Sequence, residues 1–323
     1  MFSEPSLSFN KILVMKVIYG INKIKKYRKP VVALGVFDGV HRGHRNILKG
    51  AARRARSIKG TSVVLTFWPH PQKEKSLYSL EHRLRLIREL GIDVCVVINF
   101  NKRFAKILAS GFVKNILYKK IGASLVCVGR NFRFGKNGEG DVNTLRRLSV
   151  LCNYKLKVFR VMRTHNQAIS STYIRSLIRK GNLDAAKELL CRPVAVLGTV
   201  TSGMRIGRKL GYPTANIDPH HEVIPPKGVY AVRVIFEAKL FYGTCYIGTK
   251  PTLKPHNKKI YIEVNIFNLN KNIYAKFLEI QFIKKIREDK KFNSLPGLAK
   301  QIKLDSLKAR RLFPSLKPYH NSC

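Results

Sequence analysis

Residues 31–47 read VVALGVFDGVHRGHRNI, and their order of residue types decides how the first half of the chain folds. VVALGVF is a β-branched, apolar run of strand character. Gly35, Asp38 and Gly39 turn the chain directly after it, and HRNILKGAARRARSI has the apolar spacing of a helix with one buried face. Strand, glycine turn and helix in this order open a βαβ unit. His41 and His44 are three residues apart in the first helical turn and share a face.

The same alternation continues to about Leu190. TSVVLTF, DVCVVIN, ASLVCVG and KLKVFRVM read as further strands, and SLEHRLRLIREL, FAKILASGFVKNILYKK, DVNTLRRLSVLC and STYIRSLIRKGNLDAAKELL as helices. Strands separated by helices predict an α/β fold, a Rossmann-like parallel sheet covered on both faces. Ligands of such sheets lie at the carboxyl ends of the strands. After Arg192 the texture changes: AVLGTVTSG, GVYAVRVIF, GTCYIGT, IYIEVNIFNL and KFLEIQFIKKI are strand candidates, and only FNSLPGLAKQIKLDSLKARRLF looks helical. A small antiparallel β-barrel with a terminal helix is expected there. The two domains are placed at 15–190 and 191–323.

The 323 residues, 45% hydrophobic, suffice for two cores. The apolar runs are too short and too interrupted by charge to span a membrane. The six cysteines are scattered without a C-x-x-C pair or a Cys/His cluster, so neither zinc nor disulfides are expected and a reducing, cytoplasmic setting is. No signal peptide is visible, and Met15 is favoured as the natural start. Lys and Arg number 62 against 18 Asp and Glu, a formal net charge of +44. The excess is shared, with 39 basic and 10 acidic residues through Arg192 and 23 and 8 beyond; local clusters such as KIKKYRK (23–29) and KKIREDKK (284–291) are short. This is read as general basic drift with non-specific polyanion binding as a by-product, not as a dedicated nucleic-acid partner. The oligomeric state stays open.

A helix N-terminus favours anions through its free N–H groups and macrodipole. Two imidazoles added there suit an α-phosphate whose charge grows during nucleotidyl transfer. GVFDGVHRGH in fact resembles the signature of the adenylyltransferase module of bacterial bifunctional riboflavin kinase/FAD synthetases, within the H-x-G-H nucleotidyltransferases. The resemblance continues in the family's order with TFWPHP (66–71), GRNFRFG (129–135) and ISSTYIR (169–175). In the second domain it rests on GRKLGYPTANI (207–217), PPKGVYAV (225–232), YIGTKPT (246–252), IEVNIF (262–267) and IREDKKF (286–292).

The resemblance implies phosphorylation of riboflavin by ATP and Mg²⁺ to FMN, then adenylyl transfer from a second ATP, giving FAD and pyrophosphate. It places Gly35, Phe37, Asp38 and Gly43 at the nucleotide, with Asp38 chiefly fixing the loop and Gly43 letting a ligand approach the backbone. His41 and His44 stabilise the α-phosphate. Ser171 and Thr172 offer hydroxyls, and Arg175 a fork for the departing phosphates. Phe67, Asn131, Phe132 and Arg287 fall at the flavin. In the second domain Gly207 and Gly211 let a loop wrap ATP, Thr214 and Asn216 reach Mg²⁺ and phosphates, and Glu263 is the general base.

The chain departs from the family pattern at Gly138 (usually Arg), Asn265 (often His), Asn268 (Asp) and Asp289 (Glu). These changes bear on phosphate contacts and flavin affinity. A tRNA-related adenylating enzyme is a second reading of H-x-G-H, but it lacks a K-M-S-K-S-like loop and leaves PTAN unexplained. A flavin- or nucleic-acid-binding protein without catalysis is a third, opposed by the intact His41, His44, Thr214, Asn216 and Glu263.

Overall fold

Strands β1 (Lys16–Tyr19), β2 (Val31–Leu34), β3 (Ser62–Trp68), β4 (Val94–Asn99), β5 (Leu125–Gly129) and β6 (Lys155–Phe159) form one sheet in the order β1-β4-β3-β2-β5-β6. Every neighbouring pair is parallel. The computed structural model describes residues 14–71, 76–164, 166–203, 211–249, 260–292 and 294–313. The chain forms two compact units, one of residues 80–168 with the segment up to Glu74, the other of 75–79 with everything from Ile169 onward.

In the first unit β2, β3 and β4 are buried along nearly their whole length, as a sheet with two covered faces requires. The helix Arg42–Ser57 buries Ile47, Leu48, Ala51, Ala52 and Ala55, one stripe at helical spacing, and ends with Arg54 and Arg56 at its negative pole. Three elements differ from expectation. β1 lies inside the basic amino-terminal stretch, where only four strand residues interrupt the charges and the period-2 signal is lost. FAKILASGFVKNILYKK is not one helix. It holds short turns at Lys102–Ala105 and Ala109–Gly111, then Phe112–Ile121 wound with i→i+5 bonds and stopped by Gly122 at φ 67°. STYIRSLIRKGNLDAAKELL is two helices, Ser171–Arg179 and Leu183–Leu190, because Gly181 at φ 80° breaks the run and Asn182 caps the second. A hairpin of β7 (Arg163–Thr164) and β8 (Gln167–Ala168) closes the first unit.

The second unit is a closed antiparallel barrel of β9 (Val194–Thr201), β10 (Ala215–Asp218), β11 (Gly228–Phe236), β12 (Lys239–Thr249), β13 (Ile260–Ile266) and β14 (Phe277–Arg287), ordered β10-β13-β12-β11-β14-β9. β10 was not among the strand candidates; it is the strand that closes the barrel, pairing with both β13 and β9. The helix Leu295–Leu312 is capped by Ser294, whose hydroxyl accepts from the Gly297 N–H. Phe313 behind it stacks on Tyr242 with ring centroids 4.4 Å apart.

The compact units part at 168/169, inside the segment expected to form the first domain. The helix Leu183–Leu190 buries Ala186, Leu189 and Leu190 and packs against β9 and β14. Residues 76–79 join the barrel too. Glu222, buried, accepts from the Ser79 N–H (2.8 Å) and the Leu197 N–H (3.0 Å), and the Arg192 guanidinium lies 5.0 Å from the centre of the buried Tyr78 ring.

Candidate active sites

β2 ends between β3 and β5, two later strands that lie on opposite sides of it in the sheet, so the order of strands reverses there, the crevice position of an open parallel sheet. There Phe37 (φ 53°), Gly39 (φ 77°) and Val40 (φ 39°) pass through left-handed conformations, which folds the loop tightly before the helix. His41 is the N-cap of Arg42–Ser57, its Nδ1 accepting from the His44 N–H at 3.4 Å. The two imidazoles stack with centroids 3.6 Å apart and planes 20° from parallel, and Phe37 meets His44 edge-on at 5.4 Å. Gly43 has a further reason to lack a side chain: a Cβ there would stand 3.3 Å from the His41 ring. Gly35 likewise makes room for the Phe37 ring, which would lie 3.0 Å from its Cβ. Phe37 is buried, so its ring shapes the loop, and Asp38 is buried within the turn.

Sequence reasoning passed over Arg83. Its side chain, 1% exposed, donates to the carbonyl of Val36 at 2.6 Å and to that of Phe67 at 3.3 Å, with the guanidinium 5.6 Å from the Trp68 ring centre. Thr66 Oγ1 donates to the same Val36 carbonyl at 2.8 Å. The cation thus ties the histidine loop to the carboxyl end of β3. Burial lowers its pKa from the ordinary value, and the Asp38 carboxylate opposes that shift. In the sequence Arg83 is one of several arginines on a basic helix, and nothing in the helical period distinguishes it.

Phe67 and Phe132 belong to one run of rings. Phe67 touches Phe100 and Phe104, Phe104 touches Phe112, Phe112 touches Phe134, and Phe134 stacks on Phe132 at 5.7 Å, with centroid separations up to 6.3 Å. Phe67 is buried, Phe132 is half-buried and Asn131 is exposed in the loop after β5. That loop is pinned by Glu139, which accepts from the Ala109 N–H at 2.7 Å, and by the Phe134–Gly140 bridge. Gly138 sits at φ 68°, so the departure from the family's Arg goes with a left-handed backbone that favours glycine.

Ser171, Thr172 and Arg175 belong to the second compact unit, the histidines to the first. Ser170 caps the helix Ser171–Arg179, accepting from the Tyr173 N–H at 3.2 Å. Arg175, 3% exposed, donates to Thr172 Oγ1 at 2.9 Å.

On the barrel, register lines up a cross-strand row. Asn216 is opposite Thr201 on β9 and Glu263 on β13, and Glu263 is opposite Tyr246 on β12. Their neighbours Ile217, Val264 and Cys245 fill the interior, so the row stands on the outer face. Thr214 Oγ1 donates to Glu263 Oε2 at 3.3 Å. Asn265, two residues along β13, donates through Nδ2 to the Pro213 carbonyl at 2.8 Å, so this departure from the family's His anchors the segment that carries Thr214. Tyr246 donates to Asp289 at 3.1 Å; burial first, and then the Asp289 carboxylate, push its phenol pKa up, which keeps it a neutral donor. A Cβ on Gly203 would overlap the Asn216 amide, so glycine permits that side chain its place. Asn268 is exposed at φ 59°, a conformation asparagine tolerates. Gly211 is exposed at φ 80° with open space around it, while Gly207 lies outside the described residues.

Arg287, expected at the flavin, is engaged elsewhere: its Nε and Nη2 meet the buried Asp305 of the terminal helix at 2.9 Å, and its Nη1 donates to the Glu288 carbonyl. Among the described residues no group of three or more His, Cys, Asp or Glu is placed to hold a metal ion. Cys95, Cys127, Cys152, Cys191 and Cys245 are buried thiols outside any disulfide, and no helix among the described residues is long and apolar enough to cross a membrane.

A parallel sheet with stacked histidines at a helix mouth, followed by a closed barrel with Asn and Glu in register and a Thr hydroxyl bonded to that Glu, defines a two-part nucleotide-dependent transferase. Residues 23–173 match the family model for FAD synthetase and 190–313 that for riboflavin kinase. A bifunctional riboflavin kinase/FMN adenylyltransferase of Buchnera aphidicola subsp. Schizaphis graminum is 34% identical over 309 residues, 93% of this chain and 99% of its own. Its counterpart in Escherichia coli is 34% identical over 314 residues, 94% and 100% of the two chains. That of Bacillus subtilis is 34% identical over 302 residues, 90% and 94%. The chain belongs to the bifunctional riboflavin kinase/FMN adenylyltransferase family. A Streptococcus pneumoniae crystal structure described as a macrolide-efflux protein shares its fold at TM-score 0.79 and 27% identity, over 94% of this chain and 100% of that one.

Proposed function

We propose that this chain makes FMN from riboflavin and FAD from FMN at two separate sites, residues 15–190 serving adenylyl transfer and 191–323 phosphorylation. The observation that carries the reading is stacked His41 and His44 at a helix N-terminus in one unit together with, on the barrel, Asn216 and Glu263 in register and Thr214 hydrogen-bonded to Glu263.

In the kinase step Glu263 takes the proton of the ribityl 5′-hydroxyl as its oxygen bonds to the γ-phosphorus of ATP and ADP departs. Thr214 and Asn216 supply hydroxyl and amide oxygens beside a carboxylate, a donor set that fits Mg²⁺, which takes few protein ligands and completes its shell with water and phosphate. Bound there, the ion would neutralise phosphate charge. In the adenylyl step an FMN phosphate oxygen bonds to the α-phosphorus of ATP and the bond to the β-phosphate oxygen breaks, releasing pyrophosphate. His41, His44 and the free N–H groups of Arg42–Ser57 stabilise the charge on the α-phosphate. Asn131 and the ring run ending at Phe67 and Phe132 receive the flavin; the hydroxyls of Ser171 and Thr172 and the Arg175 guanidinium are groups able to hold phosphate. Arg287 serves the kinase by fixing the end of β14. Buried thiols suit a reducing cytoplasm.

Product chromatography after incubation with riboflavin, ATP and Mg²⁺ tests the assignment. His44→Ala abolishes FAD while FMN still accumulates; Glu263→Ala stops FMN formation but converts supplied FMN to FAD. Loss of both activities in either folded variant contradicts independent sites.

A further inference from the structure

In a parallel sheet all strands start at one end, and here that end is opposite the one carrying His41 and His44. Lys16 opens β1, Arg28 and Lys29 precede β2, Lys59 precedes β3, Lys119 stands ahead of β5 and Lys155 opens β6; all six are exposed. Cations therefore stand at every strand except β4, along an edge about 24 Å long at the usual strand spacing. Backbone bonds hold the row in place: the Thr61 N–H donates to the Arg28 carbonyl and the Lys155 N–H to the Ser124 carbonyl, both at 2.9 Å. Two carboxylates lie at this end among the described residues, and both are engaged. Asp93 accepts from the Ser62 N–H and hydroxyl at 2.8 and 2.6 Å, and Glu89 pairs with Arg85 at 3.4 Å.

Anionic substrates account for cations at the carboxyl ends of the strands. Neither reaction uses the amino ends. We propose that this edge of the sheet binds single-stranded nucleic acid through its phosphates. The charge is arranged as a line, the shape of a chain of phosphates. Tyr118, 48% exposed beside Lys119, offers a ring among the cations, the combination that single strands use.

The test measures binding of a fluorescein-labelled 20-nucleotide single-stranded RNA to the full-length protein across a salt series. Changing Arg28, Lys59, Lys119 and Lys155 together to Glu is expected to weaken binding at least tenfold and to flatten the slope of log K against log salt by about 3, near 0.7 per lost contact. FMN and FAD formation continue unchanged, which shows that the variant is folded. Four equivalent reversals on the terminal helix, at Lys300, Lys303, Lys308 and Arg311, change binding less than twofold. Should the charge reversals disturb folding, acetylation of the unaltered protein gives the same answer: bound RNA shields Lys59, Lys119 and Lys155 and leaves Lys300 and Lys303 reactive. Equal losses in the two variants, uniform shielding, no RNA binding at low salt, or stronger binding to anionic phospholipid vesicles than to RNA would each overturn the proposal.

Discussion

Arg83 shows how much one buried side chain contributes to a loop. Two carbonyls, of Val36 and Phe67, rest on its guanidinium, and the buried Asp38 gains from its charge. Replacing it with Met removes one donor from each carbonyl, Val36 keeping the Thr66 hydroxyl, and leaves Asp38 without that cation. Arg83→Met is expected to cut the kcat of FMN adenylylation roughly 10²-fold, the size of effect that follows an ångström's misplacement, with riboflavin phosphorylation in the same chain intact. Arg83→Lys, which restores charge but not the fork, recovers part of the rate. Steady-state assays of both steps check this, and an equal fall in both would point to general unfolding. The histidine pair was legible from its spacing together with the strand and glycine turn ahead of it; Arg83 was not, because its meaning lies in where a later helix meets the loop. The ion pair of Arg287 with Asp305 was equally hidden, since it joins β14 to a helix 18 residues further along.

At the scale of elements, caps and glycines set boundaries that hydrophobic period left vague. Asp141 caps the helix Val142–Leu151, accepting from the Thr144 N–H at 2.9 Å and its hydroxyl at 3.1 Å. The backbone bond above all, then the hydroxyl and Arg133, hold its carboxyl pKa below the ordinary value. A depressed folded pKa contributes stability that is complete above the unfolded value and lost as pH falls through the folded one. Asp141→Asn keeps a capping oxygen but removes this titration, so the difference in melting temperature between variant and parent narrows as pH is lowered from 7 to 3. A constant difference would show that the charge contributes nothing. The barrel strands were readable one by one from their alternation. β10 was too short for that, with four residues and a proline just ahead, and only closure of the barrel explains why it is extended.

For the whole molecule, the helices between Ser171 and Leu190 belong structurally with the barrel although the alternation of strands and helices continues through them. Leu189 and Leu190 are buried against it, each contributing roughly 1.5–3 kcal/mol. A fragment beginning at Ile169 is therefore expected to melt several degrees above one beginning at Cys191, as read by circular dichroism and by retained riboflavin phosphorylation. Equal melting temperatures would place those helices outside the cooperative unit.

The sequence by itself determined the class of each half, the order of most elements and the motifs that carry the family resemblance, because hydrophobic period, glycine turns and short motifs are local and survive as patterns of neighbouring residues. Only the tertiary structure decided the strand order, the closing of the barrel by β10, the row Asn216, Glu263 and Tyr246, the buried fork of Arg83 and the basic edge of the sheet. Each of these joins residues far apart in the chain, and their contacts follow from how strands pair and helices cross over, which no window of sequence contains.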